Sequence, residues 1–395
     1  MALESLEIGE GIYWVGALDW EERDFHSFEI VRGLTYNAYL IIDDKITLVD
    51  TVKNGFLSET VERTNGLVDL SQLDYIVVNH IEPDHSGSLA QVKDMAPNAE
   101  IICTKKAKEG LCRYFDCSDW KFTEVGTGDE INTGKKTLKF VEMTMLHWPD
   151  SMATYVKEDN LLLSNDAFGQ HIASVERYDD ELGVDESLKW AKIYYANILM
   201  PFANLVKKKL KEIEELGIKI DVIAPSHGVI WRNPDRIMEA YSKWASFESE
   251  DKLVIVYDTI YESTAKLARE IADGARSKVN VRLFHARNDL KSEMLEEILD
   301  AKAVAIGSPT MHNRVYPSVA EFLTYLRGLK PRGKLGVAFG SYGWGGGAVR
   351  EINKFFEELK WDTMDSFTVK YRPDEDELKK AYELGEQIAQ KIKSS

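Results

Sequence analysis

The C-terminal part of the chain alternates short apolar runs with segments of helical periodicity. The apolar runs predict strands at residues 253–257, 279–283, 303–306, 335–339 and 367–369. The segments around them predict helices at residues 263–275, 292–299, 318–326, 349–359 and 374–393. Strands that alternate with helices form βαβ units with right-handed crossovers. This part of the chain therefore predicts a doubly wound parallel sheet.

The N-terminal part is richer in strands. Its apolar patterning predicts strands at residues 11–15, 35–42, 47–51, 75–79, 100–103, 138–142, 153–156 and 160–164. Polar turns at residues 42–45 and 158–160 favour hairpins between neighbouring strands. Helical patterning is found at residues 55–64, 87–95 and 203–216. The mixture predicts an α+β sandwich with its helices outside.

A polar stretch at residues 244–251 separates the two patterns. It ends a helix-like segment at residues 234–244 and is followed at once by the strand predicted at residues 253–257. We therefore predict two domains, one at residues 1–249 and one at residues 250–395. At roughly 100–200 residues per domain, the length of 395 residues suggests two or three domains.

Composition narrows the class of protein. The 395 residues are 44 % hydrophobic and carry 49 Lys and Arg against 66 Asp and Glu, a net charge of −17. We expect no binding to nucleic acid or to a membrane, because both need a basic surface. Basic residues are absent from the first nine positions, so we expect no secretory signal. An odd number of cysteines, Cys103, Cys112 and Cys117, argues against a disulfide framework and favours a cytoplasmic protein.

Four potential metal ligands fall within six residues directly after the strand predicted at residues 75–79. They are His80, Glu82, Asp84 and His85. Imidazole and carboxylate ligands suit iron, manganese or zinc, and the lack of thiols argues against a structural zinc site. The alternative is an exposed polar loop with no ligand.

Three more segments place a ligand-type residue after an apolar strand. One contains His147, the second contains Asp166 and His171, and the third contains His227. Each alone is more typical of an ordinary turn residue. Together with the first segment they give the order H-x-E-x-D-H, H, D, H along the chain.

This order resembles the metallo-β-lactamase pattern, in which H-x-H-x-D-H is followed by H, D and H. Glu82 stands where that pattern has its second histidine, and an anionic oxygen shifts the metal preference from zinc towards iron. With the second domain, the whole chain resembles a flavodiiron protein, also called an A-type flavoprotein. The resemblance implies an N-terminal metallo-β-lactamase-like αββα sandwich and a C-terminal flavodoxin-like doubly wound parallel sheet.

The resemblance also implies a non-haem diiron centre. The first iron would take His80, Glu82 and His147, the second would take Asp84, His85 and His227, and Asp166 would bridge them. Three further residues are candidates for giving protons or hydrogen bonds to a bound oxygen species: His26, His171 and Tyr195. The alternative for these three is that they are ordinary buried polar residues.

Three loops at the carboxyl ends of strands in the second domain are candidates for binding FMN. The first resembles the flavodoxin phosphate loop and contains Thr259, Ile260, Tyr261, Glu262, Ser263 and Thr264, with Glu262 where flavodoxins usually have glycine. The second contains Ser308, Pro309, Thr310, Met311, His312 and Asn313. The third contains Ser341, Tyr342, Gly343, Trp344, Gly345 and Gly346. The phosphate loop lacks the G-x-G-x-x-G of a dinucleotide site, which favours FMN over FAD or NAD. The alternatives are an ordinary helix cap and flexible turns.

The function that the resemblance implies is an oxidoreductase. FMN would pass electrons from an external donor to the diiron centre, which would reduce dioxygen to water or nitric oxide to nitrous oxide. The chain has no C-x-x-C pair, so we expect no fused rubredoxin; rubredoxin or a reduced deazaflavin would be the external donor. A head-to-tail homodimer, or a tetramer built from it, is implied as well.

Two other functions remain open at this stage. A zinc hydrolase of the metallo-β-lactamase type would be revealed by bound zinc and by esterase or thiolesterase activity. A flavodoxin-type electron carrier with a purely structural first domain would turn over flavin without consuming a diatomic substrate. Glu82 argues against the first, and the complete set of ligands argues against the second.

Overall fold

The computed structural model describes residues 3–394, which form two compact units. The first unit contains the residues up to Phe25 together with Ile30–Tyr194 and Asn204–Ser242. The second unit contains His26–Glu29, Tyr195–Ala203 and the residues from Lys243 onwards. The sequence analysis placed one domain boundary, near residue 250. It did not indicate that His26–Glu29 and Tyr195–Ala203 group with the second unit.

The strands of the N-terminal part build two main sheets. The bounds are β1 (Leu6–Gly9), β2 (Ile12–Trp14), β3 (Ala17–Asp19), β4 (Asp24–Phe25), β5 (Phe28–Glu29), β6 (Leu34–Tyr36), β7 (Tyr39–Ile41), β8 (Thr47–Val49), β9 (Tyr75–Val78), β10 (Glu100–Cys103), β11 (Phe122–Glu124), β12 (Glu130–Asn132), β13 (Thr137–Glu142), β14 (Met152–Val156), β15 (Leu161–Asn165) and β16 (Val222–Pro225). One sheet has the order β1-β2-β7-β8-β9-β10-β11, and the other has the order β12-β13-β14-β15-β16. The predicted hairpins β7–β8 and β14–β15 are both antiparallel pairs.

The two sheets pack face to face across an apolar core. In β9, Val77 contributes to the core shared with Leu138, Phe140 and Leu163 of the second sheet. Its neighbour Ile76 points to the opposite side, as the two-residue period of a strand requires. Because both faces of the first sheet are buried, its strands consist of nearly continuous apolar runs.

Helices cover the outer face of the first sheet. The helices of the N-terminal part are α1 (Leu57–Asn65), α2 (Pro83–Ser86), α3 (Leu89–Met95), α4 (Lys105–Tyr114), α5 (Asp179–Leu182), α6 (Val184–Tyr194), α7 (Ala203–Glu215) and α8 (Asp235–Ala245). Leu57 of α1, Leu89 of α3 and Leu111 of α4 share one buried cluster with the sheet. The predicted sandwich with outer helices is confirmed, although the sequence analysis missed α2, α4, α5 and α6.

The strand predicted over residues 35–42 is in fact two strands. β6 pairs with β3, whereas β7 pairs with β2 and β8. Between them, the buried Asn37 amide donates to the carbonyls of Pro225 and Gly228 at 2.8 and 3.0 Å and accepts from Trp14 Nε1 at 2.8 Å. The chain leaves the two-stranded sheet β3-β6 here and enters the seven-stranded sheet. Asn37 is the one strongly polar residue between Tyr36 and Ile42, and a single such residue within a strand-like segment does not by itself show a break.

The second unit contains a parallel sheet with helices on both faces. Its strands are β17 (Glu250–Tyr257), β18 (Asn280–His285), β19 (Ala301–Pro309), β20 (Leu335–Tyr342), β21 (Asp362–Thr363) and β22 (Phe367–Lys370). Its helices are α9 (Ser263–Ala275), α10 (Lys291–Leu299), α11 (Pro317–Leu329), α12 (Gly347–Glu358) and α13 (Glu375–Ser394). The strand order is β18-β17-β19-β20-β21, and β22 also pairs with β20. All of these pairs are parallel, which confirms the predicted doubly wound sheet.

Two helices of the second unit approach very closely. A Cβ atom added to Gly274 of α9 would lie 2.0 Å from the carbonyl oxygen of Tyr382, and one added to Gly385 of α13 would lie 2.1 Å from that of Ile271. Only glycine fits at these two positions. Within residues 3–394, every helix is too short or too polar to cross a membrane.

Candidate active site

The residues predicted to bind metal lie in the first unit, each beyond the end of a strand. His80 and Glu82 follow β9, His147 follows β13, Asp166 follows β15 and His227 follows β16. Asp84 and His85 lie in α2, one helical turn that starts at Pro83. Proline is favoured at the first position of a helix because its fixed φ angle is already helical. The turn brings both side chains back towards the strand ends.

Four of these residues form the first ligand group. The ligand atoms of His80, Glu82, His147 and Asp166 all lie within 4.8 Å of one another. Glu82 Oε2 is 3.3 Å from His80 Nε2 and 3.2 Å from His147 Nε2. Asp166 Oδ2 is 3.3 Å from His147 Nε2 and 3.6 Å from His80 Nε2.

The second ligand group contains Asp84, His85 and His227, again with ligand atoms within 4.8 Å of one another. Asp84 Oδ2 lies 3.1 Å from His227 Nε2. The other oxygen of Asp166, Oδ1, lies 3.0 Å from His85 Nε2 and 3.5 Å from His227 Nε2. Asp166 therefore directs one carboxylate oxygen to each group.

The chemistry of this arrangement fits metal ions. Asp84 is only 4 % exposed, yet neither of its carboxylate oxygens accepts a hydrogen bond from the described residues. A buried carboxylate without such partners is costly unless a cation compensates it. Three carboxylates and four imidazoles converging in a buried space provide ligands for cations that favour oxygen and nitrogen.

The electrostatics of these side chains also fit bound cations. Burial alone would lower the pKa of His80, but Asp150 and Glu82 raise it to about 10. Burial would also lower the pKa of His85, but Asp84 and Asp166 raise it to about 9. Likewise, Asp166 and Glu82 raise the pKa of His147 to about 10. The carboxylates therefore favour positive charge at all three imidazoles, and a metal ion that binds there must displace their protons.

Outer hydrogen bonds fix the orientation of two ligand rings. Asp150 Oδ2 lies 2.9 Å from His80 Nδ1 and also accepts the backbone N–H of Ile81 at 2.9 Å. His227 Nδ1 lies 2.6 Å from the carbonyl oxygen of Thr35 and donates to it. Both rings therefore present Nε2 to the site. The sequence analysis did not select Asp150, although it lies only three residues after His147.

A buried carboxylate also joins the two strand ends that carry His80 and Asp166. Asp50 Oδ1 accepts the backbone N–H of Asn79 at 2.7 Å, and Asp50 Oδ2 accepts the side-chain amides of Asn79 and Asn165 at 3.1 and 3.3 Å. Asn79 and Asn165 immediately precede His80 and Asp166. Asp50 thus sets the spacing of the two ligands, a role that no short sequence motif shows.

The three candidate pocket residues lie in different surroundings. The buried ring of His171 packs edge-on against His227 at 5.3 Å and against Tyr194 at 4.7 Å. Tyr195 packs on Trp244 at 5.4 Å, so Tyr194, which the sequence analysis passed over, is the tyrosine beside His171. His26 lies in the exposed turn between β4 and β5.

The three candidate flavin loops lie at the carboxyl ends of β17, β19 and β20, within the second unit. Thr264 and Ser341 share a hydrogen bond of 2.9 Å between their hydroxyls, which ties the first loop to the third. The backbone N–H of Thr310 donates to the Ser341 carbonyl at 2.8 Å, which ties the second loop to the third. The carboxyl ends of strands in open α/β sheets are where such folds bind ligands.

The first loop contains one residue with a left-handed backbone and one buried hydroxyl without a hydrogen bond. Glu262 has φ of +64°, a left-handed conformation that usually favours glycine, and helix α9 begins at the next residue. The hydroxyl oxygen of Thr259 is buried and makes no hydrogen bond within residues 3–394. The rings of Tyr261 and Trp344 are 89 % and 94 % exposed, so both are available to flank a planar ligand.

We expect Asp150→Ala to weaken metal binding, because His80 would lose the acceptor that holds its ring. Loss of such an outer partner typically costs about 10–100-fold in metal affinity. Asp150→Asn keeps an acceptor oxygen and should cost less. Titration of both variants against a competing chelator measures the difference. Equal affinity for Asp150→Ala and the unchanged protein would show that the hydrogen bond does not position His80.

The chain thus combines a two-sheet fold carrying a buried carboxylate–imidazole site with a flavodoxin-type domain, the organisation of a flavin-dependent metalloprotein. Comparison with known families agrees: residues 34–228 match the ODP family beta lactamase, and residues 255–385 match Flavodoxin.

Whole-chain relatives give the family. The chain is 46 % identical to the nitric oxide reductase of Moorella thermoacetica, over 98 % of this chain and 99 % of the relative. The structure of rubredoxin oxygen:oxidoreductase from Desulfovibrio gigas matches with a TM-score of 0.96 and 35 % identity, over 99 % of both chains. That of the flavodiiron protein from Giardia intestinalis matches with a TM-score of 0.97 and 34 % identity, over 100 % of this chain and 98 % of the other. The chain belongs to the flavodiiron family of oxidoreductases.

Proposed function

We propose that this protein is a reductase of small diatomic molecules, which converts dioxygen to water, nitric oxide to nitrous oxide, or both. The observation that carries the proposal is the placement of Asp166. Its two carboxylate oxygens face two separate ligand groups within one buried site. A bridging carboxylate suits a pair of ions that act together on one small substrate.

The two ions are proposed to be iron. His80, Glu82 and His147 would hold the first, Asp84, His85 and His227 the second, and Asp166 both. Glu82 supplies a hard anionic oxygen where the metallo-β-lactamase pattern has an imidazole, which favours iron over zinc. When bound, iron and FMN supply the electron transfer and the open coordination positions that side chains lack.

The surroundings of His227 suit a site closed to bulk water. His171 and Tyr194 are both buried, and Phe25 packs edge-on against His171 at 5.0 Å. Burial raises the pKa of Tyr194 well above its ordinary value, so its hydroxyl keeps its proton at neutral pH. We propose His171 and Tyr194 as the side chains that supply hydrogen bonds near the second group. His26 and Tyr195 stay as more distant candidates for proton delivery.

FMN is proposed to bind at the three loops of the second domain. Thr259, Ser263 and Thr264 would hold the phosphate at the start of α9, where backbone N–H groups and the helix dipole favour an anion. The second and third loops would hold the flavin ring. We take the domain boundary near residue 250, as the polar stretch at residues 244–251 suggests.

The partners follow from the relatives. The Desulfovibrio gigas protein is named for rubredoxin as well as for oxygen, so rubredoxin is a candidate external donor here, with a reduced deazaflavin as the second. We propose a cytoplasmic, head-to-tail homodimer, or a tetramer of such dimers.

Anaerobic reconstitution tests the cofactor assignment. Metal-free, flavin-free protein is incubated with ferrous iron, zinc and FMN together, and bound metal and flavin are counted by elemental analysis and absorbance. We expect two irons and one FMN per chain. A zinc-filled protein that hydrolyses esters or thiolesters would contradict the proposal and support the hydrolase.

We expect Glu82→His to shift the metal preference towards zinc, because it restores the imidazole of the hydrolase pattern. The measurement is the iron-to-zinc ratio after reconstitution from an equal mixture of the two ions. Glu124→His, an exposed glutamate in the same unit, is the control for adding a histidine. An unchanged ratio in Glu82→His would mean that the geometry of the other ligands sets the preference.

A further inference from the structure

The phosphate loop starts at a buried carboxylate. Asp258 is fully buried at the end of β17 and directly precedes Thr259, whose backbone N–H donates to Asp258 Oδ1 at 2.6 Å. The hydroxyl of Ser318 donates to the other oxygen, Oδ2. A phosphate monoester is itself an anion, so an uncompensated carboxylate next to its site would oppose binding.

Arg287 compensates this carboxylate. It lies in the loop between β18 and α10, and it donates from Nη2 to Asp258 Oδ1 at 2.5 Å and from Nε to Asp258 Oδ2 at 3.2 Å. Two-point pairing of this kind is the strong form of an Arg–carboxylate interaction. Burial would raise the pKa of Asp258, but the hydrogen bonds from Arg287 and Ser318 lower it, so the pair is ionised at neutral pH.

Arg287 also holds the loop itself. Its Nη2 donates to the carbonyl oxygen of Thr259 at 3.2 Å, and its guanidinium lies 5.3 Å from the centre of the Tyr316 ring. Thr259 is the residue whose buried hydroxyl has no hydrogen bond in the described structure. One arginine therefore fixes the backbone of the residue whose hydroxyl is open to a ligand.

We propose that Arg287 is a specificity-determining residue that makes this site select a phosphorylated flavin over an unphosphorylated one. It does so by neutralising Asp258 and by holding Thr259 in place to receive the phosphate. The inference rests on the proposed function, in which this loop binds FMN. Because riboflavin lacks the phosphate, its binding affinity should depend little on the pairing of Arg287 with Asp258.

The test is a comparison of FMN and riboflavin affinity, measured by quenching of flavin fluorescence on titration into flavin-free protein. In Arg287→Met, FMN affinity should fall on the order of tenfold or more, the size expected when a buried carboxylate loses its charged partner. Riboflavin affinity should change much less. Adding Asp258→Asn to Arg287→Met should restore much of the FMN affinity, because the uncompensated charge is then gone.

Arg327→Met is the matched control. Arg327 is 52 % exposed against 51 % for Arg287, lies in the same domain and pairs with Glu358 at 2.7 Å. Arg327→Met should leave the affinities for FMN and for riboflavin unchanged. An equal loss of FMN affinity and riboflavin affinity in Arg287→Met would overturn the inference. So would a double variant that does not recover FMN affinity. Failure of the unchanged protein to bind FMN would contradict the proposed function, and the inference with it.

Discussion

Asp166→Ala is expected to remove most of the iron from both ligand groups while FMN content stays near one per chain. Asp166 is the residue that contacts both groups, through Oδ2 to His147 and through Oδ1 to His85. Its removal leaves four buried imidazoles with fewer anionic partners, which disfavours binding of two divalent cations at once. Diatomic reduction should fall about 100-fold or more, because loss of a ligand should cost at least as much as loss of an outer hydrogen-bond partner, which typically costs about 10–100-fold.

The measurement is iron and flavin content of the purified variant, together with the coupling of any remaining iron by magnetic spectroscopy. Asp221→Ala is the control, because Asp221 lies directly before β16, at the opposite end of that strand from His227. Full iron content and full turnover in Asp166→Ala would show that Asp166 does not bridge the two ions.

A mixed dimer of two inactive variants is expected to recover about half of the reductase activity of the unchanged dimer. In a head-to-tail dimer each site combines the FMN of one chain with the irons of the other, and one of the two sites would be intact. One variant, His80→Ala with His227→Ala, lacks iron. The other, Thr259→Phe with Ser263→Trp, lacks FMN. If the FMN of one chain serves the iron site of its partner, then the mixed dimer has one intact site and one doubly inactive site.

The two variants carry different affinity tags, are co-expressed and are purified over both tags in succession. If each chain used its own FMN, every site would have one inactive half, and activity would stay near zero. Metal and flavin analysis of the mixed dimer is the control, since each cofactor must be present in half of the chains. An inactive mixed dimer with both cofactors present would contradict the head-to-tail arrangement.

Much of the architecture follows from apolar patterning alone. The helix predicted at residues 263–275 and the strand predicted at residues 100–103 have the bounds that the structure shows. Local patterning failed where a tertiary contact decides the structure. Residues 35–42 were predicted as one strand, but Asn37 separates two strands because its amide has its partners at Pro225 and Gly228, far away in the sequence.

The candidate site was also predicted from the sequence only in part. Ligand-type residues after strands predicted the groups around Asp166, because carboxyl ends of neighbouring strands meet at one edge of a sheet. Asp50, Asp150 and Arg287 escaped notice, because each acts through a partner far away in the sequence or on another element. Tyr194 was passed over for Tyr195, since residue type alone does not show which of two neighbouring tyrosines faces His171.

The most direct test of the account is the fate of a diatomic substrate. Protein loaded with iron and FMN is reduced without oxygen and then mixed with dioxygen or with nitric oxide, and substrate and products are followed together. The account predicts that the iron-loaded protein consumes at least one of the two much faster than iron-free, FMN-loaded protein. It also predicts that dioxygen yields water with no accumulation of hydrogen peroxide. Equal rates with and without iron, or peroxide formed in step with the dioxygen consumed, would show that the flavin reacts alone and would contradict the account.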